Sequence, residues 1–153
     1  MERSIPVRLR SATLLAVVLA LRVSLAAADH EVVLVTRAQS EIDAVSILDV
    51  RKIYLGITVR QGSHTIRGLR NLSNPRIDSI FIQSVMAMSE QAYERRLISG
   101  SLRFGRPRPA EYRTQEELIA EILISPDAVT CLWREDAERL PQLKVLGVLW
   151  HAY

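Results

Sequence analysis

Three observations in the sequence predict an α/β fold. Apolar runs of strand length stand at 32–35, 128–133 and 145–150. The stretches between them carry helix caps and apolar residues at helical spacing. Strand and helix signals thus alternate loosely, which sets helices against a sheet. Apolar residues make up 48% of the chain and no low-complexity run interrupts it, so it carries material for a core and does not read as disordered.

Residues 1–28 read as a targeting segment. Arg3, Arg8 and Arg10 form a basic start, 11–21 is a short apolar core, and Ala26-Ala27-Ala28 is a small-residue cleavage site. This is the pattern of a secretory signal peptide cleaved after Ala28, with export by the Sec route and a periplasmic location. The uninterrupted core falls short of the ~20 residues that span a bilayer. The alternative is a retained signal anchor reaching Ala28, against which Arg22 counts. The chain holds 20 Lys+Arg and 17 Asp+Glu, of which the first 28 residues hold four and one. Residues 29–153, expected to form one domain, therefore carry 16 of each. The basic balance belongs to the targeting segment, and nucleic-acid binding has no net-charge support.

Element by element, 31–36 reads as a buried strand. Ser46 then caps a short helix, with Asp49 reaching back to the open amides. Leu48, Ile53, Tyr54 and Leu55 supply its apolar face and Gly56 ends it. A second strand is expected at 65–69. Asn74 caps the next helix, Pro75 takes its first position, and it runs to about Met86, burying Ile77, Ile80, Phe81 and Val85. Ser89 caps a helix over 90–98. The stretch 103–113, broken by Gly105, Pro107 and Pro109, reads as irregular. Thr114 and Glu117 form a capping box ahead of 118–123. Ser125-Pro126-Asp127 turns the chain into a strand holding Cys131, which reads as a small core residue. With one cysteine there is no internal disulfide framework. The last strand is 145–150, and Trp150-His151-Ala152-Tyr153 is its end packing down.

Taken in order, these elements resemble the second lobe of periplasmic phosphate-binding proteins of ABC transporters. The residues that carry the resemblance are Ile53-Tyr54-Leu55-Gly56, then Arg70-Asn71-Leu72-Ser73-Asn74-Pro75 followed by Phe81, then the Gly/Pro-rich region 100–109. Ser125-Pro126-Asp127-Ala128-Val129-Thr130-Cys131-Leu132-Trp133 stands where the family often shows Pro-Gly-Ala-Ile-Gly-Tyr leading into a strand. The likeness covers 32–149. It implies a single lobe of a periplasmic-binding-protein-like fold, with a mixed central sheet flanked by helices. It also implies a binding protein and not an enzyme, with phosphate or another small oxyanion as ligand and a membrane transporter or sensor protein as partner. One lobe supplies half a cleft, so either a homodimer builds the other wall or the domain serves as an interaction module.

A helix N-terminus holds an oxyanion through its open amides and partial positive charge. The candidate contacts are Ser73 and Asn74, with Arg70 as the charge and Ser40 on the loop after the first strand. The chain departs here from the family's Ser-Gly-Thr loop: no Gly or Thr follows Ser73, and Pro75 has no amide. Helix capping alone also explains Ser73 and Asn74.

A second feature is basic. Arg95, Arg96, Arg103, Arg106, Arg108 and Arg113 crowd a short span, against Glu94 and Glu111. Arg103, Arg106 and Arg108 are the candidate partner surface, for an acidic protein or anionic lipid headgroups; a solvated, partly ion-paired face is the plainer reading. The alternative function is a protein–protein interaction or sensing accessory module with no small-molecule ligand. Catalysis has little support. His30 and His151 stand near the two ends of 29–153, and no nucleophile elbow, P-loop or zinc spacing is present. No cofactor or metal is expected.

Overall fold

The computed structural model describes residues 30–152, so the expected signal peptide and its cleavage site lie outside the described residues. Strand β1 (Glu31–Arg37) sorts its side chains by alternation. Val32 and Leu34 join one core with Val129 and Cys131, while Val33 and Val35 join a second with Leu69, Ala128 and Leu132. The sheet is thus buried on both faces. Helices α1 (Ile47–Tyr54), α2 (Pro75–Ile80) and α3 (Glu90–Phe104) supply side chains to the first core, and α4 (Gln115–Ile124) and α5 (Arg134–Glu138) to the second.

The hairpin strands β2 (Arg60–Gln61) and β3 (His64–Thr65) stand outside the main sheet. The main sheet adds β4 (Arg67–Asn71), β5 (Ala110–Tyr112), β6 (Ala128–Trp133) and β7 (Leu143–His151), in the order β5-β4-β6-β1-β7. β4 runs parallel to β5 and β6, whereas β1 runs antiparallel to β6 and β7. This is the mixed central sheet that the family resemblance implied.

Polar groups stitch the centre. The buried Tyr54 hydroxyl donates to the carbonyls of Leu69 (3.0 Å) and Val129 (3.2 Å), Thr130 Oγ1 donates to Leu69 (2.8 Å), and Thr36 Oγ1 to Ala128 (2.8 Å). All four cap residues, Ser46, Asn74, Ser89 and Thr114, accept amides two or three residues on, but the box expected at Thr114 is half made, because Glu117 gives its amide to Thr114 Oγ1 and its carboxylate takes none in return.

Leu48 is 62% exposed, and the buried side of α1 is Val50, Ile53 and Tyr54. Asp49 takes the Ser46 hydroxyl and Lys52 Nζ, not an open amide. After Ile80 the helix widens to a π turn over Phe81–Val85, which lays Met86 over Phe81 by an i→i+5 bond and buries Ile82 as well. Ile80 is left half-buried. Helix α3 does not stop at Ile98. It passes through the buried Gly100 to Phe104 and ends at Gly105, whose φ of 62° is left-handed. The stretch expected to be irregular therefore holds the end of α3 and, after the Pro107 and Pro109 break, all of β5.

Candidate functional site

In open α/β sheets ligands sit beyond the carboxyl ends of the parallel strands. Here that edge is where β4 and β5 run out, and the structure places Arg70, Ser73 and Asn74 there. It does not place Ser40 there. Because β1 runs opposite to β4 and β6, the loop after β1 lies at the other end of the sheet. Its Ser40 Oγ donates to the carbonyl of Pro126, on the turn entering β6, and accepts from the amide of Ile42.

Ser73 and Asn74 are committed to local bonds. The Ser73 amide and hydroxyl both donate to Asn71 Oδ1 (3.0 and 2.6 Å), and Asn71 Nδ2 donates to the carbonyl of Cys131. Asn74 Oδ1 accepts the amides of Arg76 and Ile77, and the Asp78 amide goes to the Asn74 carbonyl. Pro75 has no amide. The start of α2 is thus internally satisfied.

Arg70 is different. Its side chain is only 6% exposed, yet it lines an open cleft of about 520 Å³ with Pro75, Asp78, Glu90, Glu111 and Arg113. Nε and Nη2 grip Asp78 in a fork (3.0 and 3.2 Å), Nη1 reaches Glu111 (3.2 Å), and Nη2 makes a long contact with the exposed Glu90 (3.4 Å). Its guanidinium carbon also stands 5.2 Å over the ring of Tyr93. Burial raises the Tyr93 phenol, so it stays a neutral donor, and it donates to the carbonyl of Tyr54 (2.7 Å). Arg113 lines the same cleft and makes no ion pair among the described residues. Sequence reasoning grouped it with the basic run; the only signal for its place here was its position just before the Thr114 cap.

Of the candidate partner surface, Arg108 is clasped by Glu94 through two 2.8 Å bonds and Arg106 lies 4.6 Å over the Phe104 ring, while Arg103 is exposed. Cys131 is buried, and burial pushes its thiol up to about 12, so the cysteine is a core residue. Among the described residues no group of three or more His, Cys, Asp or Glu could hold a metal ion, and no helix is long and apolar enough to cross a membrane.

His64 is a structural clip that sequence reasoning left unassigned. Nδ1 meets Asp127 at 2.7 Å and Nε2 meets Glu41 at 2.8 Å. A carboxylate only accepts, so both ring nitrogens carry protons and the ring is an imidazolium. The bonds to Glu41 and then to Asp127 raise its pKa. A raised folded-state value means that this stabilisation is full below the unfolded value of about 6.5 and is lost as pH rises through the folded value. The stability difference between the wild type and His64→Gln, followed by urea unfolding, should therefore shrink as pH climbs above that range. A difference that stays flat from pH 6 to 9 would remove the clip.

No family model and no curated protein matches this chain. Solved structures do. The chain is similar to PstS from Borrelia burgdorferi (13% identity, TM-score 0.56), covering 77% of this chain and 47% of that one. It is similar to an ABC-type phosphate transport receptor from Vibrio cholerae (10% identity, TM-score 0.53), covering 77% and 46%. A possible phosphate binding protein from Planctomyces limnophilus matches with 12% identity and TM-score 0.50 over 76% and 40%. The chain thus has the fold of phosphate ABC-transporter substrate-binding proteins and spans less than half the length of these three.

Proposed function

We propose that this chain is an exported solute-binding-like protein that takes phosphate or another small oxyanion in the cleft beyond β4 and β5, as part of, or derived from, a phosphate uptake system. The observation that carries this reading is Arg70: a buried guanidinium aimed into an open cleft at the carboxyl end of a parallel strand, on a fold shared with phosphate-binding proteins. Arg113 adds a second, unclaimed cation. Glu90 is the internal competitor. It is 73% exposed and holds Arg70 by the longest of its contacts, so an incoming oxyanion displaces Glu90 while the Asp78 fork stays. Ser73 and Asn74 shape the loop beside the cleft. A second copy or a membrane transporter or sensor closes the other side.

The test is thermal unfolding and calorimetry of the full chain with millimolar phosphate and sulfate. A ligand at ~100 times its Kd adds about 2.7 kcal/mol. Glu90→Gln should tighten phosphate and Arg113→Gln should weaken it, both with little effect on the unliganded midpoint. If neither anion moves the wild type or Glu90→Gln, the reading fails.

A specific observation favours a second reading, an interaction or sensing accessory without a ligand. The start of α2 has no open amide at Arg76, Ile77 or Asp78, and three carboxylates already surround Arg70. On that reading both substitutions leave anion response absent.

A further inference from the structure

The outer face of α3 is independent of the cleft. Its inner face buries Tyr93, Leu97 and Gly100. Outward it presents Ile98, 45% exposed, and Leu102, 82% exposed, one turn apart and so on one stripe. Arg95 lies on the same stripe, and Arg96 and Arg103 run along its flank, all three exposed. None of the three makes an ion pair among the described residues. Beyond the first turn the helix holds one acid, Glu94, and Arg108 already clasps it. Three unpaired guanidinium groups and two protruding aliphatic side chains therefore share a convex strip roughly 12 Å long.

We propose that this face docks on a membrane surface rich in anionic phospholipid. The guanidinium forks fit phosphodiester oxygens at headgroup depth, while Ile98 and Leu102 reach the acyl boundary. A bilayer suits this face better than a protein does. Two aliphatic side chains on a convex helix are too few to seed a protein interface of ~800 Å² per side, whereas a bilayer supplies its own apolar phase. Residues 29–153 are formally neutral, so this surplus is local and fixes which side faces the membrane. The proposed surface shares Arg103 with the expected basic partner region. It replaces Arg106 and Arg108, which are engaged with Phe104 and Glu94, by Arg95 and Arg96.

The test uses the full chain with an environment-sensitive fluorophore on Leu102→Cys; Cys131 is buried and escapes labelling. A control carries the same label on Gln142→Cys, an exposed site beside Leu143, which packs in the core on the sheet face opposite to that of α3. Vesicles of phosphatidylcholine alone are compared with vesicles holding a third phosphatidylglycerol. The Leu102 label should shift to the blue with the anionic vesicles only, and the Gln142 label should not. Replacing Arg95, Arg96 and Arg103 together by Gln should weaken the response on the order of a hundredfold, at about fivefold per charge. No shift at Leu102 overturns the proposal. So does an equal shift on both vesicle types, or at both label sites, because the N-terminal apolar segment would then be driving binding. A Leu102 response that grows with protein concentration and ignores lipid overturns it in favour of a second copy.

Discussion

Arg70→Met should cost about 3–5 kcal/mol of stability, the range for breaking a buried ion pair from one side. The loss comes less from the bonds removed than from the charge left behind. Asp78 is 19% exposed and accepts two of the Arg70 N–H groups; without them this partly buried carboxylate loses its one ion pair among the described residues. Glu90 and Glu111 are freer, at 73% and 36% exposed, and can turn to water. The cycle with Asp78 separates the two effects. Arg70→Met with Asp78→Leu replaces the pair by apolar groups and should recover most of the loss, because a paired charge in this setting is worth little more than a hydrophobic substitute. Against a total stability of 5–15 kcal/mol the single variant approaches unfolding at 37 °C, so anion binding is read on Glu90→Gln and Arg113→Gln. Urea unfolding of the four proteins measures the coupling. A loss below 1 kcal/mol, additive with Asp78→Leu, would mean that the Arg70 fork is solvated.

That prediction was not open to sequence reasoning, although Arg70 was singled out. Its partners stand 8, 20 and 41 residues away, on α2, α3 and β5, and only the fold brings them together. Local chemistry was far more legible. Ser46, Asn74, Ser89 and Thr114 cap their helices because a cap needs only its own first turn, and β1 and β6 were visible as continuous apolar runs because both their faces are covered. What failed depended on neighbours. Ala110–Tyr112 has no strand pattern of its own and becomes β5 by pairing with the edge of β4. Gly100 opens the Gly/Pro-rich region past the expected helix end at 98, yet α3 runs through it, buried, with Arg106 in ordinary contact at 3.4 Å from an added Cβ. Ser40 missed the site because the direction of β1 is written in its pairing with β6 and β7, not in its residues.

Gly56→Ala should produce the second large loss, about 2–5 kcal/mol, from two separable causes. Gly56 ends α1 at φ 71°, and a left-handed L-residue costs roughly 1–2 kcal/mol. The second cause is space. An added Cβ would stand 2.3 Å from the carbonyl oxygen of Pro107 and 3.2 Å from Arg106 Cβ. The first of these is backbone and cannot swing aside as a side chain would, so the segment 106–109 must shift, at a typical overpacking cost of ~1–3 kcal/mol. That segment also carries Arg108, whose fork holds Glu94, and it leads directly into β5 at the cleft. Gly105→Ala is the control: its φ is 62° and nothing lies within 4 Å of an added Cβ, so it bears the backbone term alone. The difference between the two variants in urea unfolding therefore measures how tightly the end of α1 is packed under the approach to β5. Faster amide exchange at Ala110–Tyr112 should accompany Gly56→Ala and not Gly105→Ala. Equal losses in the two variants would show that 106–109 yields freely, and with it that β5 and the cleft wall are not braced by α1.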